Sequence, residues 1–236
     1  MTTPNTNTPY AIITDAYLDA GKLKTGQVPS SEMLASGMRR LNDLVNIMMT
    51  EGVKLFLTVD TAVPLTAAVG TYTFAPGGSV DMTKPLRVID GYYLDSSNNR
   101  RPLYSLAWAD WIKLPQPTNG GAITQYFVDK QATQLVVKFW LTPDTTAATG
   151  VAHVLLQTQV TNPISLTETM AFPPEWKMYL HWGLADEFAT GQPQSITQRC
   201  AQKAEVYKNK LLDWDVEDAP SSFAPDSRYN MGSKFR

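Results

Sequence analysis

The residues best suited to chemistry in this chain are two histidines and one cysteine. His153 lies in a β-prone run and His181 in a helical one, and neither has a Cys or His neighbour at the spacing of metal ligands. We therefore expect both histidines to be structural. Cys200 lies on the apolar stripe of a predicted helix, which favours a buried, unreactive thiol over a nucleophile.

Carboxylates form one dense group near the end of the chain: Asp213, Asp215, Glu217 and Asp218. Hard cations bind several such oxygens, but the glycine and the terminal glutamate of a calcium loop are missing. A solvated helix end is therefore the better interpretation. An acid–base pair for glycoside hydrolysis, such as Asp90 with Glu175, depends on a separation that only the fold defines.

The two glycine pairs of the chain do not resemble phosphate-binding loops. Gly77-Gly78 and Gly120-Gly121 lack both the following Lys-Ser/Thr and the strand-to-helix context that such loops need. No residue is therefore assigned a catalytic, cofactor-binding or metal-binding role. The prediction is a protein that is not an enzyme and carries no cofactor.

Charge and hydropathy narrow the class of protein further. The chain has 236 residues with 20 basic and 22 acidic side chains, and its net charge of -2 argues against a protein that grips nucleic acid through phosphates. No apolar run approaches the ~18 residues of a membrane span, and the start of the chain lacks the features of a signal peptide. We expect a protein made in the cytoplasm without membrane contact.

The elements that must position these residues follow from hydrophobic periodicity. Between two helical ends, short β-prone runs are separated by Gly, Pro, Asn and Asp, with hairpin signals at 96–99 and 129–133 and a short helix at 106–111. Helix caps, stop signals and apolar stripes predict four longer helices, at about 9–20, 30–52, 175–191 and 193–214.

These elements predict an α+β fold class. We expect a four-helix bundle of two N-terminal and two C-terminal helices, with a central antiparallel β insertion and an extended C-terminal tail. The predicted limits are 1–53 for the N-terminal helical pair, 54–171 for the β insertion, 172–215 for the C-terminal helical pair and 216–236 for the tail.

Aromatic residues are the remaining candidates for binding. Those of the β block suit a sugar-binding or base-stacking platform, but their period-two placement favours the sheet core or a subunit interface: Tyr92, Tyr93, Tyr104, Trp108, Trp111, Tyr126 and Trp140. The irregular tail also keeps aromatic side chains, which we interpret as anchors on a partner subunit, the alternative being that they fold back on the chain itself.

Several short motifs follow one another along the chain: Ala16-Tyr17-Leu18-Asp19-Ala20-Gly21, Leu41-Asn42-Asp43-Leu44, Glu51-Gly52, Pro85-Leu86-Arg87-Val88, Gly120-Gly121-Ala122-Ile123-Thr124-Gln125-Tyr126-Phe127, Phe139-Trp140-Leu141-Thr142-Pro143, Phe172-Pro173-Pro174-Glu175-Trp176 and Leu184-Ala185. In this order, over roughly 9–214, they resemble the head-to-tail adaptor, or connector, proteins of short-tailed bacteriophages. The β block is a departure, because the smallest adaptors lack it.

The resemblance implies a structural virion protein at the head–tail junction. Such a protein binds below the portal protein as a homo-oligomeric, dodecameric ring, extends the DNA channel without sequence-specific binding, and presents a platform for the downstream tail or nozzle protein. It also implies that Arg39 and Arg40 are possible subunit–subunit contacts. The tail would dock on the portal through Phe223, Arg228, Tyr229, Met231, Phe235 and Arg236.

Three alternatives remain open from the sequence. One is a tail-tube or tail-completion protein without portal contact. The others are a glycan hydrolase built on the β block, which is less favoured because no acid–base pair is recognisable, and a carbohydrate-binding module, which is less favoured because the aromatic residues suit the sheet core or an interface.

Overall fold

The structure, a computed structural model, describes residues 7–51, 55–115 and 120–214, which have an α+β fold. None of the described helices is both long and apolar enough to cross a membrane. The helices in these ranges are α1 (Pro9–Asp19), α2 (Ser31–Thr50), α3 (Trp108–Trp111), α4 (Trp176–Phe188) and α5 (Gln194–Trp214).

The helix ends follow from local sequence. The side chain of Thr8 accepts a hydrogen bond from the Ala11 amide at the start of α1, and that of Ser30 accepts one from the Met33 amide at the start of α2. Gly21 adopts a φ of 71° just after α1, a backbone conformation that glycine reaches without strain. The longer helices therefore begin and end close to the predicted positions.

Helix α4 forms the centre of the helical part. It contacts α1, α2 and α5, and it is apolar around most of its circumference, as expected of a helix enclosed by neighbours. Its buried side chains are Trp176, Tyr179, Leu180, His181, Trp182, Leu184, Ala185 and Phe188.

The strands between α2 and α4 form mixed sheets. Their order is β1-β11-β4-β5 in a four-stranded sheet, β3-β2-β9-β8-β6 in a five-stranded sheet and β10-β7 in a small pair. The strands are β1 (Thr58–Pro64), β2 (Thr71–Ala75), β3 (Val80–Asp81), β4 (Arg87–Leu94), β5 (Arg100–Pro102), β6 (Tyr104–Leu106), β7 (Gly120–Gly121), β8 (Gln125–Lys130), β9 (Leu135–Trp140), β10 (Thr142–Pro143) and β11 (Val151–Gln157).

The two larger sheets pack face to face as a β-sandwich with its own apolar core. The four-stranded sheet contributes side chains such as Tyr93 and Val154, and the five-stranded sheet contributes Phe74, Val137 and Phe139. The antiparallel pairs β4–β5 and β8–β9 lie at the two predicted hairpins, which confirms both.

The predicted four-helix bundle with a central antiparallel β insertion is wrong. In a bundle each helix buries one stripe, whereas α4 is buried nearly all round, and the helical core is completed by non-helical residues such as Val160, Met170 and Phe172. The sheets are also mixed, because β2–β3, β6–β8 and β7–β10 are parallel pairs. Periodicity located the helices and strands but carried no information on which elements pack together. The predicted tail, 216–236, lies outside the described residues.

Candidate functional site

The most exposed apolar surface of the sandwich lies on β6 and α3. Tyr104, Trp108 and Ile112 are 64%, 60% and 64% exposed, and Trp111 lies beside them. We call these four residues the aromatic ridge. Several large apolar side chains exposed on one short stretch of chain are typical of sites that bind another macromolecule or a ligand.

Strand pairing and ring contacts hold the aromatic ridge in place. Strand β6 is parallel to β8, so that Tyr104 and Phe127 lie on the outer face of the five-stranded sheet while Tyr126 enters the core. Trp108 and Trp111 cover Phe127, with ring centroids 5.1 Å and 5.5 Å from it. The two tryptophans of the ridge are therefore held against the sheet without a partner, which lowers the entropic cost of binding one.

The chain that follows α3 is held on the same face. The Trp140 indole Nε1 on β9 donates a hydrogen bond to the Pro115 carbonyl at 3.4 Å, and the Lys138 ammonium lies 6.0 Å from the Phe127 ring centroid. The short helix predicted at 106–111 is thus present as α3. It covers part of the five-stranded sheet, as expected, but leaves Trp108 largely in solvent.

A second cluster lies on the outer face of the four-stranded sheet. His153 Nδ1 lies 3.0 Å from Asp60 Oδ1, and the Tyr92 hydroxyl donates to Asp60 Oδ2 at 2.8 Å. The Tyr92 and His153 rings are stacked at 4.7 Å, and the Arg100 guanidinium lies 4.0 Å from the centroid of Tyr92. These side chains join β1, β11, β4 and β5 across the whole sheet.

The neighbours of Asp60 in this cluster stabilise the ionised form of its carboxylate. Burial by itself raises the pKa of Asp60, but the hydrogen bonds from Tyr92 and His153 and the charge of Arg100 together bring that pKa below its usual value. The hydrogen bond to Asp60 is the main reason that the pKa of Tyr92 is raised. The carboxylate therefore remains ionised and serves as the common acceptor of the cluster.

A histidine that contacts an aspartate can act as a general base only next to a group that it deprotonates. Within the described part of the chain, His153 Nδ1 is hydrogen-bonded to the carboxylate of Asp60, which is not such a group. The arrangement favours a cross-strand structural role, which is what the sequence predicts for His153.

The other histidine pairs with the end of α1. His181 Nε2 lies 2.8 Å from Asp19 Oδ2, and the Arg199 guanidinium donates to the Asp19 main-chain carbonyl. A cation at the C-terminus of a helix satisfies free carbonyls and interacts favourably with the helix dipole. His181 is largely buried, so it joins α1 to α4 rather than facing a substrate.

The cysteine is fully buried, as predicted. Cys200 has no exposed surface, and burial raises the pKa of its thiol despite the neighbouring Arg199. A protonated thiol without access to solvent is unreactive. Cys200 is therefore a core residue of α5.

The structure places the other predicted site residues in different environments. Arg40 forms an ion pair with Glu187 at 3.5 Å and lies above the ring of Phe188, whereas Arg39 is exposed on α2. Asp90 lies on β4, while Glu175 precedes α4 in the helical part. The portal-docking residues lie outside the described residues, as do three of the four clustered carboxylates: Phe223, Arg228, Tyr229, Met231, Phe235, Arg236, Asp215, Glu217 and Asp218.

Sequence reasoning missed the partners of both histidines. Asp60 and Asp19 lie 93 and 162 residues from His153 and His181. Strand alternation places Asp60 and His153 on outward-facing positions, but which strands are neighbours is decided by the fold. No signal in the sequence links Asp19 with His181.

The described residues contain no group of three or more histidines, cysteines or carboxylates placed to hold a metal ion. No protein-family model matches the chain, and no curated protein has a sequence that matches it.

Proposed function

We propose that this protein is a structural component of a bacteriophage virion, a head-to-tail adaptor that binds as a ring below the portal protein and holds the downstream tail protein. The observation that carries the proposal is the aromatic ridge, an ordered and largely exposed apolar surface on an otherwise well-packed sandwich. Aromatic side chains of this kind contribute strongly to protein–protein binding.

The order of motifs in the sequence supports the same class of protein. The motif Ala16-Tyr17-Leu18-Asp19 ends α1, and Phe172-Pro173-Pro174-Glu175 leads into α4, the helix around which the helical part is built. These two motifs therefore lie at the ends of two helices that contact each other.

The two parts of the molecule suit different partners. The C-terminal segment follows α5, so we assign the portal contact to the helical part and to the segment from Phe223 to Arg236. The aromatic ridge belongs to the sandwich, so we assign the tail protein to it. DNA passes through the ring without being held, consistent with a net charge of -2.

The proposal is tested by mixing the purified chain with the portal protein of the same phage at micromolar concentration. Negative-stain electron microscopy should show a ring added to the portal. Deletion of residues 216–236 should abolish this ring while circular dichroism shows that the shortened chain is still folded. Absence of a ring with the full chain contradicts the adaptor function, and a ring that persists after the deletion contradicts portal docking by the tail.

A carbohydrate-binding module is a second candidate, because an exposed tryptophan and tyrosine also stack on sugar rings. Trp108 and Tyr104 are the residues placed to do so. Quenching of tryptophan fluorescence by bacterial surface glycans, lost on Trp108→Ala, would favour this function over the adaptor.

A further inference from the structure

A cleft between α1 and α4 is open on the surface of the helical part. Asp15, Leu18 and Asp19 line one wall, and Met178 and Trp182 line the other, around a volume of about 390 Å³. Lys177 and His181 complete the lining. The cleft therefore combines an apolar floor with two carboxylates along its α1 side, of which Asp19 is already paired with His181 and Arg199.

The Trp182 indole is an unusual part of this lining. Its side chain is buried, yet its Nε1 donor has no hydrogen-bond partner within the described chain. Because this Nε1 is enclosed by the chain itself, a partner in the cleft would contact the ring of Trp182 without reaching the donor.

The exposed side of α2 carries the complementary groups. Arg39, Asp43 and Ile47 are spaced by four residues and are all exposed, so they form one stripe along the helix. We call these three residues the α2 stripe. Its arginine is opposite in charge to Asp15, and Ile47, which is 55% exposed, is an apolar group of a size that the cleft accepts.

The cleft and the α2 stripe lie on different sides of the molecule. Gly183 of α4 faces α2, since a Cβ at Gly183 would lie 2.9 Å from Leu44 Cδ2. Met178 in the cleft is five positions earlier, about 140° around an α-helix of 3.6 residues per turn. One copy therefore cannot fill its own cleft with its own α2 stripe.

We propose that the α1–α4 cleft of one copy receives the α2 stripe of a second copy, with Ile47 against Leu18 and Met178, and Arg39 facing Asp15. The inference rests on the proposed function, because it names the contact that builds the ring. A contact between two different surfaces is heterologous, and such contacts close into rings when the rotation between copies permits.

Cysteine cross-linking tests this contact with the full chain alone. Ile47→Cys and Met178→Cys in one protein, oxidised with copper phenanthroline, should give a ladder of dimers, trimers and larger species on a non-reducing gel. The native Cys200 is fully buried and does not contribute. The contact is refuted if the double variant gives no ladder, or if either single variant gives as much cross-linked product.

A matched control pair keeps Met178→Cys and replaces Ile47→Cys with Val206→Cys, since Val206 on α5 is 47% exposed. The control protein should give no ladder. A ladder equal to that of the Ile47→Cys, Met178→Cys protein would show that the cross-links come from non-specific collisions. In the Ile47→Cys, Met178→Cys protein, Arg39→Glu should lower the ladder yield at least about tenfold, because like charges would then meet. Adding Asp15→Arg should restore the yield, and failure to restore it contradicts the pairing.

The adaptor function and the contact between copies are refuted by different results. A ladder without a ring on the portal keeps the contact between copies and ends the adaptor function. A ring on the portal without a ladder keeps the adaptor function and ends this contact.

Discussion

Two glycines set how closely the helices approach around α4. A Cβ added at Gly37 of α2 would lie 2.5 Å from Ile13 Cγ2 of α1, and one added at Gly183 of α4 would lie 2.9 Å from Leu44 Cδ2 of α2. Ile13 is fully buried, so it has little room to move. Gly37 therefore allows an approach that a larger residue would obstruct, whereas at Gly183 the nearest atom is a terminal methyl of the partly buried Leu44.

Gly37→Ala should destabilise the protein. The substitution gains about 1 kcal/mol of helix propensity but crowds Ile13, and overpacking of a core costs about 1–3 kcal/mol. We expect a net loss in the free energy of unfolding, measured by urea denaturation. In an Ile13→Ala background the crowding is absent, so the same Gly37→Ala change should stabilise the protein. Equal effects in both backgrounds would show that the two residues do not interact.

The second prediction concerns pH. Burial raises the pKa of Tyr179 to about 12, and the charge of Glu51 adds to this effect. The phenol of the unfolded chain titrates at about 10, so between these values the folded protein binds more protons than the unfolded chain. The free energy of unfolding should therefore fall as pH rises through this interval, by up to about 1.4 kcal/mol per pH unit from this group.

Tyr179→Phe should make that fall shallower without removing it, because burial also raises the pKa of Tyr17, Tyr93 and Tyr126. Denaturation curves collected from pH 9 to pH 12 measure the slope. Tyr104→Phe, at a largely exposed position, serves as the control and should follow the wild type. Parallel curves for wild type and Tyr179→Phe would contradict the prediction.

At the scale of elements, β6 and α3 form a short segment whose fold presents apolar side chains to solvent. All of α3 except Trp111 is exposed, and even Trp111 is only half-buried. The segment is held by Phe127 and by the hydrogen bond from Trp140 to Pro115. An element that is ordered but not buried is well suited to bind a partner.

The third prediction tests the aromatic ridge. Tyr104→Ser with Ile112→Ser should weaken binding of the tail protein to a preassembled portal–adaptor ring by at least about thirtyfold, since central apolar anchors contribute 2 kcal/mol or more. Both side chains are mostly in solvent, so ring formation and thermal stability should stay unchanged. Val28→Ser, at a position that is 75% exposed, is the control. Unchanged affinity, measured by co-sedimentation, would remove the ridge from the interface.

Some features of the helices and strands follow from neighbouring residues alone, and others do not. The Ser30 cap, the φ of 71° at Gly21 and the run that becomes β4 are all readable from a few neighbouring residues. The parallel pairing of β6 with β8 is not, because these strands are separated by α3 and a long connection. That pairing decides that Tyr104 lies on the outer face.

At the scale of the whole molecule, the chain builds two apolar cores, one among the helices and one inside the sandwich. Hydrogen bonds join the two parts where the chain passes between them. Thr158 donates through its amide and its hydroxyl to the Leu57 carbonyl at 2.9 Å and 3.0 Å, and Arg87 donates to the Thr50 carbonyl at 3.3 Å. The sandwich is thus joined to the helical part by hydrogen bonds as well as by the chain itself.

This arrangement gives the proposed adaptor separate surfaces for separate contacts. The α1–α4 cleft and the α2 stripe belong to the helical part, and the aromatic ridge belongs to the sandwich. A substitution in one part should therefore leave the core of the other part intact, so that its effect on binding can be assigned to one surface. The three sets of variants described above address three different contacts.

The sequence by itself determined where helices and strands form, that Cys200 is buried and that both histidines lie in regular structure, because caps, turns and periodicity are local properties. Tertiary structure alone decided that α4 is enclosed, that the sheets are mixed, that Asp60 meets His153 and Asp19 meets His181, and that Trp108 lies in solvent while Tyr126 is buried. These outcomes depend on contacts between distant residues, whose energies are settled only when the whole chain packs.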